Sequence, residues 1–181
     1  MLDPLVATMV FGVPMHVLAR RVVALEDLLG GSGRELLERL HDAPGWAERF
    51  DILDAELTRR LARAVPPSPA VAWAWRRVVA TEGRVEVSAL AAELGWSRKH
   101  LSASFREHVG LPPKVMARVL RFQRAVRLLE RRNGDRLGEI ALDCGYYDQA
   151  HFNRDFRAFA GSTPTEYLAR RIVDGFGLAP E

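Results

Sequence analysis

The feature that most constrains this 181-residue chain is an internal repeat in its C-terminal two-thirds. Leu90-Ala91 recurs as Ile140-Ala141, and Leu94-Gly95-Trp96 as Cys144-Gly145-Tyr146, both at an offset of 50. Leu101, Phe105, Gly110 and Pro113 then recur as Phe152, Phe156, Gly161 and Pro164 at an offset of 51, so one residue is inserted in the second turn. Each copy reads as a short helix, a glycine-containing turn and a second helix, the arrangement whose second helix can lie in a DNA major groove. Two copies in register are far more specific than one.

The punctuation around the repeats predicts an all-helical half: Ala70–Thr81, Ser88–Leu94, Ser97–Val109, Pro113–Arg131, Leu137–Cys144, Asp148–Ala160 and Thr165–Val173. Gly95, Gly110, Gly145 and Gly161 stand where a left-handed residue closes a helix, and Ser88, Ser97, Asp148 and Thr163 stand where a cap opens one. Placed at helical steps, Leu101 and Phe105 oppose Lys99, Ser102, Ala103 and Arg106. Phe152 and Phe156 likewise oppose Ala150, Asn153, Arg154 and Arg157. The apolar pairs belong in a core, and the opposite faces are short, polar or basic, which suits base edges and phosphates. The 19 residues from Pro113 to Arg131 span about 28 Å as a helix, close to the ~34 Å between successive major-groove faces. Arg118, Arg121, Arg124 and Arg127 on that helix are phosphate candidates, with pairing to Glu130 or plain exposure as the alternatives.

The first third is different. Pro66-Pro67-Ser68-Pro69 stops any helix, so a linker is expected at 67–69 between a segment 1–66 and a domain 70–171, with repeats at about 88–110 and 137–161 and a tail at 172–181. Val6–Val17, apolar, β-branched and broken by Gly12 and Pro14, reads as a short strand or two, the remnant of a larger sheet. Gly30-Gly31-Ser32-Gly33 reads as a flexible loop. Arg34–His41 and Trp46–Val65 read as amphipathic helices, the latter with a stripe of Phe50, Leu53, Leu57 and Leu61 that needs cover. The fold class expected is therefore mainly α: two helix-turn-helix subdomains joined by a long helix, preceded by a β remnant and two helices.

Composition narrows the function classes. Residues 1–66 carry 8 basic and 10 acidic side chains, whereas residues 67–181 carry 18 and 13. The basic half holds the repeat, as a polyanion-binding surface would. A single cysteine, Cys144, forms no internal disulfide and aligns with Leu94, a core position, so a buried structural thiol is expected. The five histidines show no i, i+4 pair, no metal or cofactor is expected, and no triad, dyad or phosphate loop supports an enzyme. No apolar run spans a membrane and no leader pattern opens the chain, so a cytoplasmic location is expected.

The segments A-L-A-A-E-L-G-W-S-R-K-H-L-S-A-S-F at 89–105, I-A-L-D-C-G-Y-Y-D-Q-A-H-F-N-R-D-F at 140–156 and A-G-S-T-P-T-E-Y at 160–167 closely resemble the paired helix-turn-helix domain of AraC-type transcription regulators. The resemblance runs from about residue 70 to 170, taking in P-P-K at 112–114 and R-F-Q-R-A at 121–125; Val10–Arg63 resembles the end of the N-terminal region in one subgroup. The barrel-like sensor portion that usually precedes is almost wholly absent, which leaves a small-molecule effector open. By position, the resemblance implies base reading by Lys99, Ser102 and Ala103, flanked by Arg98 and Arg106. On the second helix it implies Gln149, Asn153 and Arg154, with His151 and Arg157 alongside. Arg154 and Lys99 suit guanine, Gln149 or Asn153 adenine, and Ala103 a thymine methyl. The function expected is a sequence-specific regulator of transcription that binds double-stranded DNA, an activator as is more usual in the family, with RNA polymerase as a further partner. The alternative is an interaction module in which residues 1–66 pair with a partner or with a second copy, forming a homodimer that binds DNA weakly.

Overall fold

A computed structural model describes residues 3–19, 21–131 and 136–173, with the backbone alone over 171–173. The helices in chain order are α1 (Pro4–Phe11), α2 (Met15–Leu18), α3 (Leu25–Leu29), α4 (Gly31–Asp42), α5 (Trp46–Arg63), α6 (Pro69–Ala80), α7 (Val87–Glu93), α8 (Arg98–Val109), α9 (Pro113–Arg131), α10 (Leu137–Asp143), α11 (Gln149–Ala160) and α12 (Pro164–Val173). No strand occurs among the described residues. The tail expected over 172–181 lies, from residue 174 on, outside them.

The described residues fall into two compact units, the first within Met1–Trp73 plus Leu94–Pro112, the second within Ala74–Glu93 plus Pro113–Glu181. In the first, α1 packs on α5 and α8, α2 packs on α8, and α4 pairs with α3 and α5. The expected strands over Val6–Val17 are not formed: the run is helix α1, a turn at Gly12–Pro14, and helix α2. Local chemistry favours this outcome. Asp3 accepts a hydrogen bond from the Leu5 amide at 2.8 Å, Pro4 sits in the first turn, and left-handed Gly12 closes the helix. An apolar run with neighbours on several sides carries no alternation to distinguish strand from helix.

The loop expected over Gly30–Gly33 is also corrected, since α4 begins at Gly31. Gly33 lies so near the Leu25 carbonyl that a β-carbon there would sit 2.6 Å from its oxygen, so the glycine permits the tight α3–α4 corner. The stripe on α5 finds partial cover at Leu53 alone, which is half-buried: Phe50 is 60% exposed, Leu57 and Leu61 are exposed, and the neighbouring Trp46 is 70% exposed. The buried residue of α5 is instead Glu56, clasped by Arg59 at 2.6 and 2.9 Å and by Arg60 at 2.6 Å. These guanidiniums, Arg59 foremost by its hydrogen bonds, hold the Glu56 carboxyl below its ordinary range against the opposing push of burial.

The second unit surrounds an aromatic core. Ala125 and Leu129 of α9, Ile140 and Ala141 of α10, Cys144 and Tyr146 of the turn, and Phe152 and Phe156 of α11 are buried together, with Tyr167 of α12 packed alongside. Phe156 meets Phe122, Phe152 and Tyr167 at ring-centre distances of 5.0, 5.6 and 5.6 Å, near-perpendicular arrangements that aromatic quadrupoles favour. Burying each phenylalanine is worth roughly 1.5–3 kcal/mol. Cys144 is fully buried and burial pushes its thiol up, as expected of a structural cysteine.

Candidate nucleic-acid interface

Both candidate reading helices are started by side-chain caps and stopped by left-handed glycines, as the sequence predicts. On α8, Ser97 Oγ accepts from the His100 amide at 3.1 Å, and left-handed Gly110 ends the helix by donating to the Arg106 carbonyl. On α11, Asp148 Oδ1 accepts from the His151 amide at 2.6 Å, and left-handed Gly161 donates to the Arg157 carbonyl. Ser88 differs from its expected role, because α7 already includes Val87 and Ser88 lies in its first turn. Thr163 and Glu166 bond each other's amides at the start of α12, a capping box.

Burial then fixes which face each helix presents. On α8, Leu101 and Phe105 are fully buried and Val109 is buried, while Arg98, Lys99, Ala103 and Arg106 are exposed and Ser102 is half-buried. None of these basic side chains pairs with an acid among the described residues. On α11, Phe152, Asp155 and Phe156 are buried, and Gln149, Arg154 and Arg157 are exposed. His151 and Asn153 are half-buried: the His151 ring meets the Tyr146 ring edge-on at 5.3 Å, and Asn153 Oδ1 is buried without a hydrogen-bond partner. The freely presented groups on α11 are therefore Gln149, Arg154 and Arg157.

Four of the five arginines of α9, the candidates Arg118, Arg121, Arg124 and Arg127, are otherwise engaged. Arg118 makes a two-pronged bond to Asp155 of α11 at 2.8 and 3.1 Å and lies over the Phe159 ring at 5.4 Å. Arg121 lies over the Tyr146 ring at 5.1 Å, and Arg124 and Arg127 both pair with Glu82. Arg118, Arg124 and Arg127 are thus held by Asp155 and Glu82, and Arg121 lies against the Tyr146 ring. Tyr146, between these arginines and the core, has its phenol pushed up to about 12, chiefly by burial.

One exposed group escaped the sequence reading. Tyr147, 89% exposed, is placed just before the Asp148 cap, at the opening of α11. The signal was present in the one-residue insertion between the repeats, since the second turn carries Tyr146-Tyr147-Asp148 where the first carries Trp96-Ser97.

The chain matches a family model described as a helix-turn-helix domain over residues 90–170. It is 36% identical over 83 residues to the F1 operon positive regulatory protein of Yersinia pestis, a match covering 46% of this chain and 27% of that protein. It is 36% identical over 104 residues to a probable bifunctional transcriptional activator/DNA repair enzyme AlkA of Mycobacterium tuberculosis, covering 57% of this chain and 21% of that protein. The chain thus spans only about a quarter of the length of the curated relatives it matches. Among solved structures, the DNA-binding domain of the global transcriptional factor AdpA, crystallised with a target DNA, superposes with a TM-score of 0.51 at 28% identity, over 60% of this chain and 95% of that one. No helix among the described residues is long and apolar enough to cross a membrane.

Proposed function

We propose that the helix-turn-helix domain matched over residues 90–170 is of the AraC type, and that the chain is a sequence-specific regulator of transcription that reads duplex DNA with α8 and α11. The observation that carries this reading is the two-faced character of both helices. Each buries its aromatic and aliphatic side and presents a capped, polar, basic side whose arginines and lysine have no acidic partner among the described residues. Lys99 and Arg154 donate to guanine, Gln149 to adenine, and Ala103 meets a thymine methyl. Arg98, Arg106 and Arg157 hold phosphates, while Ser102, His151 and Asn153 line the edges of the contact. Joined by the 19-residue α9, the two helices address two major-groove segments, and the chain works in the cytoplasm at the chromosome without catalysing a reaction. The Yersinia relative is named a positive regulator, which supports activation through contact with RNA polymerase.

A second reading, an interaction module formed by residues 1–66, is favoured by the exposed Trp46, Phe50, Leu57 and Leu61 of α5. Selection from a randomised duplex pool, followed by fluorescence anisotropy at several salt concentrations, separates the two. The regulator reading expects tight, selective, salt-sensitive binding, with Arg154→Ala losing about 10- to 100-fold on the selected site and losing preference at one base pair. Weak binding that is indifferent to sequence would move the assignment to the interaction module.

A further inference from the structure

A cavity of about 670 Å³ opens within the first unit, between the second half of α1 with its Gly12–Pro14 turn, the last turn of α5 with residues 64–66, and Glu107 and His108 near the end of α8. That volume lies in the usual range for small-molecule sites, roughly 300–1,000 Å³. Three helices end beside it, α1 at Phe11, α5 at Arg63 and α8 at Val109, so the negative ends of three helix dipoles gather there.

The charged side chains sort into committed and free. Arg60 is committed: besides Glu56 it reaches Ser32 Oγ at 2.9 Å and the Val10 carbonyl at 3.4 Å, and Arg59 is held by Glu56. Arg63 and Glu107 line the same cavity, both are exposed, and neither bonds a described residue. Met9, Phe11, Val13 and Val65 supply apolar wall. One free cation, one free anion, the negative ends of three helices and an apolar wall complement a molecule with both charges and an apolar body. A plain carboxylate would satisfy Arg63 but face Glu107 and the helix ends; a plain amine would satisfy Glu107 but face Arg63.

We propose that this cavity binds an amino acid or short peptide with apolar side chains, its carboxylate on Arg63 and its ammonium group on Glu107. The occupied site bears on the first reading helix. Thr8 Oγ1 donates to the His108 carbonyl at 2.8 Å, and α1 and α2 both pack on α8, so a molecule wedged between α1 and the last turn of α8 favours one placement of that helix. This second step rests on the proposed DNA-reading role; binding itself does not.

Isothermal titration of the full chain with L-leucyl-L-phenylalanine, its N-acetyl form and its C-terminal amide tests the site. The dipeptide is expected to bind saturably and each blocked form at least tenfold more weakly. Arg63→Gln should weaken the dipeptide tenfold while leaving the amide unchanged, and Glu107→Gln should do the same with respect to the N-acetyl form. Because both residues are exposed and unpaired, circular dichroism should show both variants folded. Absence of saturable binding at millimolar dipeptide, equal binding of a blocked form, or indifference to both substitutions would overturn the proposal. Anisotropy with a selected duplex, with and without dipeptide, reads the second step: a shift of threefold or more in DNA affinity supports it, and dipeptide binding with no shift overturns that step. A chain that binds dipeptide but no DNA refutes the regulator reading and leaves the site standing.

Discussion

The clasp between Arg118 and Asp155 ties α11 to α9, and its two partners are unequally buried: the Asp155 side chain is 9% exposed and that of Arg118 34%. Removing either one leaves the other alone, but the costs differ. Arg118→Ala strands a carboxylate that water barely reaches, at the lower end of the ~3–5 kcal/mol expected for an orphaned buried charge. It also forfeits the contact over the Phe159 ring, worth about 0.5–1 kcal/mol. Asp155→Ala leaves a guanidinium that can turn toward solvent, so its cost is that of the lost charged hydrogen bonds, about 1.5–2 kcal/mol. Urea unfolding followed by circular dichroism should therefore rank Arg118→Ala as the more damaging by about 2 kcal/mol. The double variant should be less damaged than the sum of the two, because the second substitution removes the charge stranded by the first. If Asp155→Ala proves equal or worse, or if the two losses simply add, the account of the clasp as an edge-exposed cation holding a buried anion is wrong.

Three further outcomes follow from the same geometry. Gly83→Ala places a β-carbon 2.1 Å from the Ala117 carbonyl oxygen at a φ of 79°, and should cost about 3 kcal/mol in the urea midpoint; a loss below 1 kcal/mol would contradict the close approach. Because Arg59 and Arg60 lower the Glu56 carboxyl, its ionised form stabilises the fold fully above the ordinary carboxylate value near ~4.3, and that contribution disappears as pH falls through the lowered one. Glu56→Gln should thus lose about 2 kcal/mol at pH 7 and show a shallower decline than the parent on acidification below about pH 5; parallel pH profiles would reject the assignment. Thr8→Val removes the donor to the His108 carbonyl and should cost about 1 kcal/mol, with hydrogen exchange accelerating in the last turn of α8 and unchanged in α11; protection unaltered in both would show that the bond carries no weight.

The second two-thirds of the fold was legible because its signals are local and doubled. Caps at Ser97 and Asp148, closing glycines at 110 and 161, and the buried pairs Leu101/Phe105 and Phe152/Phe156 each follow from residue type and spacing, and a second copy confirms the register. The first third was not legible, because what decides it is distant in sequence. The Asp3 cap, Pro4 and Gly12 favour helix in Val6–Val17, but the neighbours that bury the run come from α5 and α8, and its apolar sequence shows no periodicity that points to them. On α5 the apolar stripe faces outward and Glu56 inward, an arrangement that only Arg59, Arg60 and the cavity wall explain. The partners of the α9 arginines were illegible for a related reason. A row of basic residues on a helix has the same appearance whether it meets phosphate or Glu82 and Asp155, since pairing partners 37 and 45 residues away are set by tertiary packing.

The grouping of α8 with residues from the start of the chain means that this candidate reading helix cannot be handled as a detachable cassette. A protease cutting the proline-rich stretch 66–69 would sever the covalent path between the two parts of this unit, yet α1 and α2 would stay seated on α8, held by the packing around Met15 and Gly110 and by the Thr8–His108 bond. The nicked chain would co-migrate as one particle until denatured. Transplanting only residues 70–171 onto another protein would carry α11 with its own α9–α10–α12 surroundings but leave α8 bare along the side that α1 and α2 now cover. Chimeras of this chain should accordingly be joined ahead of residue 3, so that α8 travels with α1 and α2.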